Sequence, residues 1–119
     1  DFTYIDDIIN GLLKAINNPA EKDLGWNPKN HLPSSSSAPF RIYNIGNNAP
    51  VLLEDFIIAI ENNIEKKIKK KYLPIQPGDL KQTHADVSYI TNELGYTPTT
   101  PLEEGIKKFV KWFREYYEI

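Results

Sequence analysis

The chain has 119 residues, 40% of them hydrophobic, which is enough to enclose one modest core and no more. A formal net charge of -2 gives no global attraction to nucleic acid or anionic membrane, so any polyanion site must be local. Cysteine is absent, which excludes a disulfide framework and a thiolate metal site, and no apolar run approaches the roughly 20 residues of a membrane span.

Residue 1 opens without an initiator Met on Asp1-Phe2-Thr3-Tyr4, a β-rich run that passes straight into a helix. An N-terminus is ordinarily polar and loosely held, so this start reads as the seam of a longer protein. Ile5, Ile8, Ile9, Leu12, Leu13 and Ile16 follow at spacings of 3, 1, 3, 1 and 3 and predict one apolar helical face. Asp6 and Asp7 sit in its first turn, where carboxylates suit the positive helix end, and the helix should stop near Asn17-Asn18-Pro19. Paired carboxylates could also do acid/base work, but at a helix start capping is the expected role.

Residues 19–39 are polar and Pro-bearing, end in Ser34 to Ser37, and read as a flexible loop; Trp26 is its one anchor. The serines imply no positioned base and carry no nucleophile assignment. Phe40 to Asn44 reads as a strand, leaving through Ile45-Gly46-Asn47. A second amphipathic helix is predicted from Leu53 to Lys66, burying Leu53, Phe56, Ile57, Ile60 and Ile64.

Lys66, Lys67, Lys69, Lys70 and Lys71 form the one dense charge run. With a strand expected at 68–73, lysines complement a helix C-terminus and blunt an edge strand, and no aromatic interleaving favours a phosphate or nucleic-acid patch. Gln76-Pro77-Gly78-Asp79 then makes a turn. A short third helix runs from Asp86 to a left-handed cap at Gly95. The last helix has Thr100 as N-cap, Pro101 in its first turn and Glu103 closing a capping box, with Leu102, Ile106, Phe109, Val110, Phe113 and Tyr117 as its apolar stripe.

Three short strands and four helices make a small α/β unit. It lacks a Gly-x-Gly-x-x-Gly, a Walker loop, a Gly-x-Ser-x-Gly and a His-Glu-x-x-His, so it holds no nucleotide-cofactor fold of its own. His31 and His84 are not paired at ligand spacing and read as turn histidines, with no metal. The turns at 43–47 and 76–79 are the places where an α/β fold collects ligand groups. Asn44 offers an amide donor, Asp79 an acceptor for vicinal hydroxyls, and Gln76 both functions. Spacing alone favours plain turn chemistry at both.

Residues 1–8, the run Ser36-Ser37-Ala38-Pro39-Phe40-Arg41-Ile42-Tyr43-Asn44-Ile45-Gly46-Asn47, Leu73 to Asp79, and Gly95-Tyr96-Thr97-Pro98 before a closing helix occur in one order. Together they resemble the C-terminal portion of extended short-chain dehydrogenase/reductase enzymes acting on nucleotide sugars, nearest the bacterial UDP-glucuronate 4-epimerase type. The resemblance covers nearly all of the chain. It implies a small α/β substrate-binding domain, with the Rossmann domain that binds NAD and carries a Tyr-x-x-x-Lys pair lying outside these residues.

In that family NAD takes hydride from C4 of the UDP-sugar as the catalytic Tyr takes the hydroxyl proton, and the keto sugar turns before hydride returns. The diphosphate must therefore be held firmly and the sugar loosely. By position, the resemblance makes Asn44, Gln76, Gly78 and Asp79 substrate-binding and assigns this chain no catalytic, cofactor or metal ligand. Gln76 departs from branches with Arg there, and a neutral amide meets phosphate more weakly than a charged fork, so neutralisation must come partly from outside the chain. The implied activity is epimerisation of UDP-glucuronate to UDP-galacturonate for surface polysaccharide, with the isolated chain inactive. The implied setting is a cytoplasmic, homodimeric parent enzyme that binds neither nucleic acid nor membrane. A 4,6-dehydratase or decarboxylase of the same superfamily, or a non-catalytic α/β interaction module, are the alternatives.

Overall fold

Four helices carry the architecture: α1 (Ile5–Asn17), α2 (Leu53–Ile64), α3 (Ser88–Leu94) and α4 (Leu102–Tyr117), in a computed structural model describing residues 1–119. Their ends follow from local chemistry. The Asn18 amide donates to Lys14 O and so replaces the next helical turn of α1, just before Pro19. Gly95 takes φ 63° and ends α3 as expected. Glu65 ends α2 in the same left-handed region at φ 58°, two residues before the predicted stop.

The three expected strands at 2–4, 40–44 and 68–73 do not form, which corrects the α/β reading to a helical unit with almost no sheet. Only isolated antiparallel bridges occur, Lys22 with Pro39 and Ser35 with Arg41. A β-rich run becomes a strand only when a neighbour supplies a series of ladder hydrogen bonds; the 2–4 and 68–73 runs form no bridge, and the 40–44 run meets residues 34–35 through a single one. The two bridges, with Asp23 N–H donating to Ser36 O and Ile42 N–H to Ser34 O, fold the 19–39 segment back on itself. Trp26 rests on the His31 ring at 5.2 Å.

Two small apolar clusters form the interior. In the first, Ala59 of α2 meets Ile106 and Val110 of α4, flanked by Phe56, Ile60, Ile64 and Leu102. In the second, Val87, Ile90 and Tyr96 pack with Tyr43, Ile45, Ala85 and Leu94. Only 11 of 119 residues are buried, and the radius of gyration is 18.7 Å, against roughly 13.5 Å for a compact chain of this length.

α1 meets this interior with the face opposite to the one expected. Its only buried residues are Asp7 and Gly11, while its six large apolar side chains are 37% to 63% exposed. A Cβ at Gly11 would lie 3.1 Å from both Ile45 Cδ1 and Tyr96 Cε2, so the missing side chain is what lets α1 approach. Asp7 does not cap its own helix. Its Oδ1 accepts from Thr99 N–H at 3.0 Å and Thr99 Oγ1 at 3.2 Å, and its Oδ2 accepts from Thr100 N–H at 3.0 Å. The predicted capping box at Thr100 is replaced by this contact. Pro101 is the N-cap of α4, and no side chain caps it.

Lys67 Nζ lies 2.8 Å from the buried Glu61 carboxylate and Lys70 pairs with Glu54, so two of the five clustered lysines serve structure. Glu61 also accepts from Ile68 N–H at 3.0 Å, turning the chain back along α2.

Burial pushes the Asp7 carboxyl up, but the hydrogen bonds from Thr99 and Thr100 outweigh it and hold the group below the ordinary carboxylate range. A depressed folded pKa means stability that is present above the unfolded value and lost as pH falls through the folded one. Asp7→Asn should therefore cost about 2 kcal/mol at neutral pH. The difference should shrink below roughly pH 4, where the wild-type carboxylate begins to protonate in the unfolded chain. Urea titrations of both proteins across pH check this.

Candidate functional site

The segment Tyr43 to Asn48 is gripped from three sides. Tyr43 Oη donates to Glu93 Oε2 of α3 at 2.6 Å, the Tyr43 ring lies 5.3 Å from Tyr89, and Arg41 Nε reaches the same carboxylate at 3.6 Å. Burial, together with the adjacent Glu93 charge, pushes the Tyr43 hydroxyl up to about 12, so it stays a proton donor to Glu93 throughout the neutral range. Tyr96, fully buried, donates from its hydroxyl to Gly46 O at 2.9 Å. Asp1 Oδ2 accepts from Ala85 N–H at 2.8 Å and from Asn48 N–H at 3.2 Å.

Asn44 is placed by these contacts. Its Nδ2 donates to Asp86 O at 3.2 Å, which spends one of two amide protons and leaves the side chain exposed. Asp86 Oδ1 in turn accepts from Ser88 N–H and Ser88 Oγ, and those bonds hold its carboxyl below the usual range and set the start of α3. Asn44 therefore stands on a segment held to α3 at both of that helix's ends.

The result is an open groove of ≈ 400 Å³ walled by Thr3, Tyr43, Asn44, Gly46, Thr83 and His84, with Asp1 at its edge. His84 Nε2 lies 2.8 Å from Asn48 Oδ1, an arrangement in which the imidazole donates. Thr83 and His84 are additions that spacing could not supply, because they lie some forty residues from Asn44 and meet it only in the fold. The groove offers neutral donors, one imidazole and the Asp1 carboxylate, which is engaged by Ala85 and Asn48 N–H, and no Lys or Arg lines it. A larger cavity of ≈ 530 Å³ between α2 and the start of α4 is lined by Asp55 and Glu103 with no basic side chain, which suits a diphosphate less.

Gln76, Gly78 and Asp79 do not line the Asn44 groove. They form an exposed turn that satisfies itself: Asp79 N–H donates to Gln76 O at 3.1 Å, Gln76 N–H to Asp79 Oδ2 at 3.3 Å, and Gln76 Nε2 to Pro74 O at 3.1 Å. Gly78 takes φ 93°, a backbone conformation that other residues rarely adopt. No three His, Asp or Glu side chains are grouped to hold a metal. No helix of the structure is long and apolar enough to cross a membrane.

No protein-family profile matches the chain. Individual proteins do. Protein CapI of Staphylococcus aureus is 42% identical over 118 residues, covering 99% of this chain and 35% of that protein. UDP-glucuronate 4-epimerase 5 of Arabidopsis thaliana is 45% identical over 118 residues, covering 98% of this chain and 26% of that protein. Among solved structures, the UDP-glucuronic acid 4-epimerase of Bacillus cereus, crystallised with UDP-glucuronic acid and NAD, superposes with a TM-score of 0.74 at 31% identity, over 98% of this chain and 32% of that one. The chain thus spans about a quarter to a third of the length of the relatives it matches. The resemblance read from its motifs is borne out, and the chain is homologous to part of these epimerases, consistent with a C-terminal part.

A Cβ at Gly46 would sit 2.3 Å from Ala85 Cβ, closer than two carbons can approach. Gly46→Ala should force the 43–48 and 83–86 segments apart, at a cost of about 1–3 kcal/mol. A lowered melting temperature with amide shifts concentrated at Asn44, Thr83 and His84 is the expected NMR and calorimetric result.

Proposed function

We propose that this chain, homologous to part of the UDP-glucuronate 4-epimerases, is the UDP-sugar-binding part of an NAD-dependent nucleotide-sugar 4-epimerase. In this reading the parent interconverts UDP-glucuronate and UDP-galacturonate for surface polysaccharide in the cytoplasm. The observation that carries the proposal is the superposition of nearly the whole chain on an enzyme crystallised with UDP-glucuronic acid and NAD.

The residues present do not fit NAD. A dinucleotide needs a glycine-rich turn leading from a strand into a helix whose first amides are free. Here no strand precedes any helix, and Gly11, Gly46 and Gly105 stand against Tyr96, Ala85 and Tyr4, where they serve side-chain packing. The proposal therefore places the cofactor and the redox step outside this chain and assigns no turnover to the chain alone.

For the substrate, the free Asn44 amide proton donates to a diphosphate oxygen, with Thr83 and His84 beside it. The turn carrying Gln76, Gly78 and Asp79 contributes on the ribose side: Asp79 accepts from hydroxyls, and Gly78 allows close backbone approach. The groove's lack of Lys and Arg means that phosphate charge is only partly neutralised here, so the affinity of this chain by itself is low.

Calorimetric titration with UDP-glucuronate tests the reading. Weak, saturable binding is expected, and Asn44→Ala should weaken it about fivefold, the loss of one hydrogen bond of about 1 kcal/mol. Asp79→Ala should weaken it similarly, and unchanged affinity would remove that residue from the site. A chain that is folded by circular dichroism yet shows no UDP-glucuronate binding would overturn the assignment.

A further inference from the structure

The groove beside Asn44 has to meet a diphosphate without a Lys or Arg on its wall, and His84 is the one wall side chain that can acquire positive charge near neutral pH. Lys81, the nearest lysine in sequence, lines the adjoining hollow and not this groove. Phosphate oxygens are held best by charge-assisted hydrogen bonds, which neutral amides and hydroxyls do not supply.

The imidazole can gain a proton without losing the contact it already has. Its Nε2 lies 2.8 Å from Asn48 Oδ1, and an amide oxygen only accepts, so in this arrangement Nε2 carries a hydrogen whether the ring is neutral or charged. The second nitrogen, Nδ1, makes no hydrogen bond within the chain; it is the acceptor of the neutral ring and becomes a donor on taking up a proton. The surrounding backbone is fixed on both sides. Ala85 N–H donates to Asp1 Oδ2 at 2.8 Å, and Thr83 O accepts from the Asp1 ammonium at 3.2 Å. Asn48, in the left-handed region at φ 54°, is tied through its N–H to the same Asp1 oxygen at 3.2 Å.

The neighbouring charges increase the need for such a proton. Asp1 brings its carboxylate to the groove edge. Asp86, whose backbone O accepts from Asn44 Nδ2, carries a carboxyl that its bonds from Ser88, with a smaller contribution from His84, hold below the usual range. Both add to the negative charge of an incoming diphosphate, which is itself ionised throughout the neutral range. Tyr43, pushed up to about 12 by burial and by Glu93, keeps its proton there and contributes no charge. The Asp1 ammonium, 2.9 Å from Thr83 Oγ1, is the other group at the groove edge able to change charge.

We propose that His84 is a further substrate-binding residue: its Nδ1 takes a proton from solvent as the diphosphate enters, and the imidazolium then donates to a phosphate oxygen beside Asn44. When the ligand leaves, the proton returns to solvent. The proposal rests on the UDP-sugar reading and adds to it the source of the positive charge.

Calorimetric titration of the chain with UDP-glucuronate at neutral pH, in two buffers of different ionisation enthalpy, is the test. Net proton uptake on binding is expected, with affinity rising about fivefold from about pH 8 to about pH 6. His84→Gln keeps an amide donor toward Asn48 and cannot take the proton, so it should bind more weakly, with no uptake and a flat pH profile. In the wild type, the His84 Cε1–H signal should move toward its low-pH position on saturation with ligand, a readout that needs no variant. Binding without proton uptake, a His84 signal unmoved by ligand, or uptake that persists in His84→Gln and so belongs to the Asp1 amine, overturns the proposal and leaves the UDP-sugar reading standing. A folded wild type that binds no UDP-glucuronate overturns both.

Discussion

A single buried carboxylate sets the arrangement of this molecule. Asp7 is 3% exposed and accepts hydrogen bonds from two consecutive backbone N–H groups and a hydroxyl at Thr99 and Thr100. A charged group can be buried only with such partners. Once it is there, the rotation of α1 is determined: the Asp7 and Gly11 side must face Tyr96 and the 99–100 segment, and the isoleucine and leucine side must face outward. Asp7 also ties the cluster around Tyr96 to the start of α4, and so to the α2/α4 pair. Tyr96 then holds Gly46, and Gly46 leads back to Asn44.

The same constraint explains the shortage of interior. An amphipathic helix normally contributes its apolar stripe to the core, but here α1 contributes a carboxylate, a glycine and a lysine whose Nζ donates to Leu94 O. Polar tethers between distant segments replace apolar burial: Asp1 to Ala85, Asn44 to Asp86, Tyr43 to Glu93. Each is worth about 1 kcal/mol or somewhat more. They position a groove well and stabilise a fold modestly. A lobe built in this way suits the proposed division of labour, in which cofactor and chemistry lie outside this chain.

The helices were legible because their signals are local. The spacing of Ile5 to Ile16, the Asn17-Asn18-Pro19 stop and the Gly95 cap act within one or two turns, and the structure keeps all three. The capping box was not, because Thr100 has its N–H taken by a residue 93 positions earlier. The strands failed for a similar reason. Val, Ile and Tyr content shows that a run can pair, whereas pairing depends on a neighbour that composition does not reveal. At the site, Asn44 is a candidate from its strand-end turn and from the motif resemblance. Its partner Asp86 and its neighbours Thr83 and His84 follow only from the fold. The 76–79 turn has the structure that its Pro-Gly-Asp chemistry predicts and is not joined to the groove.

The central claim is that this chain holds substrate while another part of an epimerase supplies cofactor and chemistry. Mixing the chain with the remaining two thirds of the Bacillus cereus enzyme, NAD and UDP-glucuronate tests it most directly. The account predicts that UDP-galacturonate forms in the mixture and in neither part alone. Conversion by the chain without its complement, or no conversion in a mixture of folded parts, would contradict it.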